Sequence, residues 1–453
     1  MTVDAGSTGD AGSIASKSTA SKSAALKSTA PKSTAPTAPK STARDVFIVC
    51  NTIDELGGVQ RWARRVADLL AERGHRVRLV GVFAVADPAR ATTARARAEH
   101  PHAEHPHTGH SDVAHSHTGR AYSETLIHPN RQGARPRPAL LSRIANPVAF
   151  LRFKRWEAVQ RAGASRLAAL LATADRPDSA VVICAQVHAM EWVSQAVRIR
   201  GRSAPPVIAM SHESYAASMA STRGRRVKKL YATAARFVCL TDADAARWVH
   251  EGGMNNTAVV PNPLPLPANG GADAGARVVV ALGRLSQEKG FDLLLESWAV
   301  ATAQRPGWTL RIYGSGPEQG ALTGQAERLG ISASVDFAGQ TDDVAAALVQ
   351  GSIFAAPSRA EGFPMALLEA MACGVPCVAF DCAPGVREIV HDGEDGVVVP
   401  PGNTEAFAAS LGALMDAREE RESLGKAAVE SVARFAPAQI IERWENLFDL
   451  VRR

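Results

Sequence analysis

The chain has 453 residues, 46% of them hydrophobic, and a formal charge of +6 at neutral pH. That is long enough for two domains, and no aromatic–basic interleaving or nucleic-acid motif accompanies the mild positive balance, so nucleic acid is not an expected partner. No apolar run reaches the length of a membrane span and the N-terminus lacks the apolar stretch of a secretory leader, while Cys50, Cys184 and Cys239 sit in or end apolar runs. Cys373, Cys377 and Cys382 cluster without zinc-ribbon spacing, so reduced, buried thiols and a cytoplasmic location are expected, with no metal site.

Residues 1–43 are rich in Ala, Ser, Thr, Lys and Pro, and Lys-Ser-Thr-Ala recurs at Lys17, Lys27, Lys32 and Lys40. Such a segment cannot bury enough apolar surface to offset its ordering entropy, so it reads as a disordered tail. A basic tether to anionic surfaces is the sharper alternative.

A first domain is expected over 44–263. Val46 to Cys50 has the pattern of a buried strand. A turn containing Gly57 and Gly58 follows, and then an amphipathic helix carrying Trp62, Val66, Leu69 and Leu70. Val77 to Val82 reads as the second strand. Residues 86–138 break this pattern: they are rich in Arg and Pro and hold His100, His102, His105, His107, His110, His115 and His117. A mobile insertion is expected there, since the Gly/Pro-rich surroundings supply no frame for a metal site. Asn146 to Ala162 reads as a helix with Phe150, Leu151, Phe153 and Trp156 among Arg152, Lys154 and Arg155. It suits an anionic membrane surface and an ordinary amphipathic packing position equally. Strands are predicted over 180–184, 206–210 and 237–240. The second of them runs into Ser211-His212-Glu213, and a basic run from Arg223 to Lys229 reads as a solvated helix face.

A Pro/Gly-rich linker at 264–274 opens a second domain, expected over 264–434. Its first strand, Val278 to Leu282, leads into Gly283-Arg284-Leu285-Ser286-Gln287-Glu288-Lys289-Gly290 and a helix. Two cations in a first β–α loop, ahead of a helix N-terminus, make a good clamp for a diphosphate. Thr309 to Tyr313 is followed by Gly314, Gly316 and Gly320, with Asp336 at a plausible acidic position. This mimics a dinucleotide fingerprint, but the glycine spacing is one residue too long and the strand is second in its domain. A turn near a nucleotide base is the better reading, with Val335 to Gly339 lining the same pocket through its backbone. Residues 435–453 are read as a helix crossing back to the first domain.

Within the second domain, Ile353 to Ala356 is a short buried strand, and the loop Ser358-Arg359-Ala360-Glu361-Gly362 follows. Phe363 and Pro364 come next, with the proline where a helix would begin, and Gly374 is placed to stop that helix in a left-handed turn. Glu361 and Glu369 therefore flank a helix N-terminus. A Glu eight residues before another, with Gly-Phe-Pro directly after the first, resembles the E-x7-E signature of retaining glycosyltransferases of the GT-B fold, family 4. The Gly-Arg-Leu…Lys-Gly loop resembles that family's second motif, and the likeness runs from about Arg44 to the C-terminus.

The resemblance implies an α/β protein of GT-B type, two Rossmann-like domains facing across a cleft. It implies transfer of a sugar from a nucleotide-sugar donor, a UDP-sugar favoured, to a glycan, lipid-linked or cell-envelope polymer acceptor, without a cofactor or metal. Glu369 would bind the ribose, and Arg284 and Lys289 the diphosphate. Glu361 and the Gly362-Phe363-Pro364 backbone would hold the sugar. His212, Gly57 and Gly58 would complete the site from the first domain, and peripheral contact with an anionic membrane fits the same picture. Three other readings use the same residues: a non-catalytic nucleotide-sugar-binding protein, a nicotinamide dinucleotide oxidoreductase, and a glycoside hydrolase with paired carboxylates.

Overall fold

The computed structural model describes residues 43–53, 57–84, 121–128, 147–175 and 177–452. The lysine-rich tail up to Thr42 and the histidine-rich part of 86–138 lie outside the described residues, as do Asp54, Glu55 and Leu56.

Two parallel sheets form the frame. The first contains β1 (Asp45–Cys50), β2 (Arg76–Phe83), β3 (Ser123–His128), β4 (Val181–Cys184), β5 (Val207–Met210), β6 (Arg236–Cys239) and β7 (Thr257–Val259). Their spatial order is β3-β2-β1-β4-β5-β6-β7. The second contains β8 (Val278–Leu282), β9 (Thr309–Tyr313), β10 (Val335–Gly339), β11 (Ile353–Ala356), β12 (Cys377–Phe380) and β13 (Gly396–Val399), in the order β10-β9-β8-β11-β12-β13. Strands such as Val-Phe-Ile-Val-Cys and Cys-Val-Ala-Phe are buried along their whole length, as expected where helices cover both faces of a parallel sheet.

In each sheet the winding direction reverses once, between β1 and β4 in the first and between β8 and β11 in the second. At such a reversal the two flanking loops leave the strand ends in opposite directions and open a crevice, which is where open α/β sheets bind ligands.

β3 corrects the expectation that residues 86–138 form one patternless insertion. Ser123 to His128 pairs in parallel with β2, from Arg78↔Ser123 to Phe83↔His128. An edge strand needs few apolar residues, and among the described side chains here only Ile127 and, just before the strand, Tyr122 are buried, so the hydrophobic pattern was too thin to read. The helix expected over 146–162 spans Pro147–Leu171, with buried residues only from Gln160 onward. The helix expected to start at Pro364 starts at Met365. Pro364 stands one residue before it with ψ 96, and its carbonyl accepts from the Leu367 N–H.

The C-terminal helix, Pro437–Leu450, lies against the helix Gly58–Glu72. Trp444 meets Trp62 at 6.2 Å between ring centroids, and Glu445 receives bonds from Arg73 and His75. One hydrophobic cluster joins Ile48, Trp62 and Val77 on one side with Phe354, Leu367 and Trp444 on the other.

Candidate functional site

The loops after β8 and β11 are neighbours at the reversal point of the second sheet, and they are stitched together. The Glu288 carbonyl accepts from the Arg359 N–H at 2.8 Å, and the Gln287 carbonyl accepts from the Arg359 guanidinium at 3.1 Å. The same guanidinium clasps Asp292 through two bonds of 2.6 Å, which holds the Asp292 carboxyl below its usual range. Gly290 closes the first loop at φ 66, where a Cβ would also overlap the Pro357 carbonyl oxygen.

This frame holds Arg284, Lys289 and Glu361 among the predicted residues, together with Gly362, Phe363 and Pro364. Lys289 is not a free cation: its ammonium donates to Glu361 Oε1 at 2.6 Å, and the Ser358 hydroxyl donates to the same oxygen at 2.7 Å. Glu361 is thus tied to the lysine that the sequence assigned to a different part of a ligand. A cavity beside them is lined by Leu282, Lys289, Ser358, Glu361 and Pro364. Arg284 is exposed and its side chain has no partner among the described residues.

Glu369 lies further along the helix Met365–Ala372, buried, and its carboxyl has no hydrogen-bond partner among the described residues. Burial pushes its carboxyl up to about 7, while Arg61, on the first lobe's helix Gly58–Glu72, pulls the other way.

The first lobe supplies the opposite wall. His212 follows β5, at the strand's C-terminal end, with its Nε2 sealed from solvent and unpartnered. Burial pushes its pKa down to about 4, so the imidazole is neutral at ordinary pH. Trp62 packs its ring edge-on against it at 4.7 Å, and the indole N–H of Trp62 is likewise buried and unpartnered. The two walls touch: a Cβ on Gly362 would overlap the His212 carbonyl oxygen, so only glycine permits this approach. Phe363 is buried against Phe435 at 5.6 Å. Gly57 begins the helix Gly58–Glu72 as its cap, and a Cβ at Gly58 would meet nothing within 4 Å.

Several residues here escaped the sequence reading. Ser358 and Trp62 owe their importance to partners 3 and 150 positions away. Asn262 stands in a Val-Pro-Asn-Pro run that itself resembles the family's pattern, but the reach of its side-chain N–H to the Met365 sulfur at 3.3 Å was not legible there. The dinucleotide-like stretch has a local explanation. Asp336 is committed to Arg311 at 2.8 Å, and Gly316 is small because the Leu285 carbonyl leaves no room for a Cβ. Among the described residues no cluster of three His, Cys, Asp or Glu side chains could hold a metal ion.

With this geometry in hand, the chain can be set beside known proteins. Residues 266–431 match the family model described as glycosyl transferases group 1. The amylovoran biosynthesis glycosyltransferase AmsD of Erwinia amylovora is 30% identical over 284 residues, covering 60% of this chain and 78% of that one. The chain belongs to the glycosyl transferases group 1 family. An uncharacterized glycosyltransferase of Haemophilus influenzae is 34% identical over 216 residues, 48% of this chain, and the match spans 61% of that protein, less than two thirds of its length. Among solved structures, Anabaena HepE in complex with UDP and glucose aligns with a TM-score of 0.66 over 89% of this chain and 99% of its own, at 18% identity. That likeness is one of fold, and it makes the two facing sheets a GT-B architecture. The family model covers the whole second sheet with Arg284, Lys289, Glu361 and Glu369, and excludes His212, Gly57 and Gly58.

Proposed function

We propose that the chain is a retaining glycosyltransferase that moves a hexosyl group from a nucleotide sugar to a glycan, lipid-linked or cell-envelope polymer acceptor. The observation that carries this reading is the pairing of Lys289 with Glu361 at the reversal point of the second sheet, beside the place where Gly362 meets the His212 carbonyl, with Arg284 on the first of the two loops and Glu369 on the helix that follows the second. Arg284 and Lys289 neutralise the donor diphosphate, and Glu369 accepts from the ribose diol. Glu361 and the backbone of Gly362, Phe363 and Pro364 hold the sugar. His212 is neutral, so it brings no charge to the site. Gly57 and Gly58 present backbone to the donor from the first lobe.

In the reaction the bond from the anomeric carbon to the leaving phosphate oxygen breaks. The acceptor oxygen bonds to the same face of that carbon, and its proton passes to the leaving phosphate. The cations favour this because they stabilise charge that grows as the bond breaks. The HepE complex with UDP supports a UDP-sugar donor, and AmsD's part in amylovoran biosynthesis supports a glycan acceptor.

Peripheral contact with an anionic membrane on the cytoplasmic side fits one observation. The first half of the helix Pro147–Leu171 has no buried residue, leaves Val148 and Leu151 61% and 66% exposed, and carries Arg152, Lys154 and Arg155. Among the described residues no helix is long and apolar enough to cross a membrane.

The deciding experiment is a thermal-shift screen of the full chain against UDP-, GDP- and ADP-sugars. Stabilisation by one nucleotide series, followed by sugar transfer from that donor with the anomeric configuration kept, is the expected result. No stabilisation by any of the three would sink the reading.

A further inference from the structure

Lys289 and Glu361 were expected to act on different parts of one ligand, yet they are bonded to each other. The ammonium donates to Glu361 Oε1 at 2.6 Å, and the two side chains are 28% and 13% exposed. Ser358 supports the same oxygen, and the two loops are locked by the Arg359 bonds to Gln287, Glu288 and Asp292. The pair therefore sits on a rigid base, and what can change is which partner each charge has.

We propose that Lys289 and Glu361 form an exchange pair that makes this site distinguish a nucleotide sugar from the bare nucleoside diphosphate. This rests on the donor-site reading given above. A diphosphate that takes Lys289 strips Glu361 of its counter-ion and leaves the carboxylate in a half-buried place with only the Ser358 hydroxyl. Removing one partner of such a pair exposes the full desolvation cost of the other. A nucleotide sugar cancels that cost, because a sugar hydroxyl donates to the carboxylate that the lysine has left. The bare diphosphate has no such group. After transfer the sugar departs, Glu361 is stranded again, and its recapture of Lys289 drives the diphosphate out. One ion pair thus weights binding toward substrate and release toward product.

The test is calorimetric and uses the full chain. UDP, GDP and ADP are titrated in turn, followed by the glucose ester of whichever binds. In Glu361→Gln the lysine has no competitor, so the bare diphosphate should bind tighter by roughly two- to tenfold, the scale of a part-exposed ion pair. The glucose ester should gain less, so the preference for it over the bare diphosphate shrinks. In a Lys289→Gln background the same Glu361→Gln change should bring no tightening. Unchanged or weaker diphosphate binding in Glu361→Gln overturns the proposal. Equal tightening in both backgrounds also overturns it, since that would be plain repulsion between Glu361 and the phosphates. If the unaltered chain binds none of the three diphosphates, the donor-site reading itself fails and the exchange with it. Melting curves accompany each variant. Should Glu361→Gln not fold, Glu361→Asp retracts the carboxylate from the ammonium and should give a smaller tightening of the same sign, its absence counting against the exchange.

Discussion

Two glutamates in this protein, Glu445 buried and Glu361 half-buried, bind cations, and they do so differently. Glu445, on the C-terminal helix, has both oxygens engaged: Arg73 donates to Oε2 at 2.6 Å and to Oε1 at 3.3 Å, and His75 Nε2 reaches Oε1 at 3.1 Å. His75 Nδ1 accepts from the Arg44 N–H at 3.2 Å, so Nε2 carries the hydrogen and donates it to Glu445. Both carboxylate oxygens and both ring nitrogens in that knot are committed. Glu361 has one oxygen engaged, by Lys289 and Ser358 together, and its Oε2 has no partner among the described residues. The lesson is that the role of an acid withdrawn from solvent follows from its spare bonding capacity. A saturated carboxylate holds elements together, while one with an unused oxygen can change partners.

The widest separation between the two should come from truncating each. Glu445→Ala leaves His75 and Arg73 without an acceptor and should cost about 2–4 kcal/mol of stability, discounted for the partly exposed Arg73. Turnover per folded molecule should barely change. Glu361→Ala should do the reverse, losing about 10–100-fold in turnover with less than about 1 kcal/mol in stability. Denaturant unfolding beside donor-turnover assays reads both, and an interchange of the two profiles would break the comparison.

Next in size is the contact between the walls. Gly362→Ala places a methyl against the His212 carbonyl, so the lobes cannot close as they do here, and turnover should fall about tenfold. Gly58→Ala meets no atom and should leave the melting temperature unchanged, touching only donor affinity. A drop in stability for Gly58→Ala equal to that of Gly362→Ala would show that Gly58 has a packing role.

Glu369 offers a smaller, signed test. Its pKa is raised from 4.5 to about 7, so ionising it in the folded state is unfavourable, and stability is lost as pH rises through that range. Glu369→Gln should therefore melt higher than the natural chain at pH 8, with the gap closing toward pH 5. If Glu369 accepts from ribose as a carboxylate, nucleotide affinity should also fall as pH drops below about 7 in the natural chain. Whatever slope persists in Glu369→Gln belongs to the nucleotide itself. Identical melting temperatures at pH 8 would mean the carboxylate is better solvated than its burial implies.

The smallest effect is expected at the saturated knot. Burial lowers the His75 pKa from 6.5 although Glu445 opposes it, so the neutral imidazole is the folded form. Its contribution is present above about pH 6.5 and is lost as pH falls below that value toward the lowered pKa of the folded state. Burial pushes Glu445 up, but its bonds to Arg73 and His75 leave it below its ordinary value, so acid weakens it as well. The fall in melting temperature between pH 7 and 5 should shrink in His75→Gln, which keeps a donor toward Glu445. An unaltered pH slope in that variant would remove His75 from the account.

Much of the architecture was legible because its causes are local. Runs such as Val46 to Cys50 and Cys377 to Phe380 can only be buried strands, and Gly374 at φ 75 ends its helix where the pattern required. Glu361 and Glu369, with Arg284 and Lys289, stood out because charge beside glycine at a strand's end is hard to explain by packing alone. The edge strand Ser123–His128 was hidden since one sheet neighbour and, among its described side chains, a single buried one at Ile127 leave almost no trace in sequence. What only the tertiary structure decided is which charges are spent on one another. Lys289 reaches across 72 positions to Glu361, Arg73 across 372 to Glu445, and His212 finds Trp62 from another strand's helix. Composition and periodicity record whether a residue prefers burial or water, but a partner is chosen by distance in space. Side chains that meet through the packing of two sheets and a returning helix carry no mark of that meeting in the order of the chain.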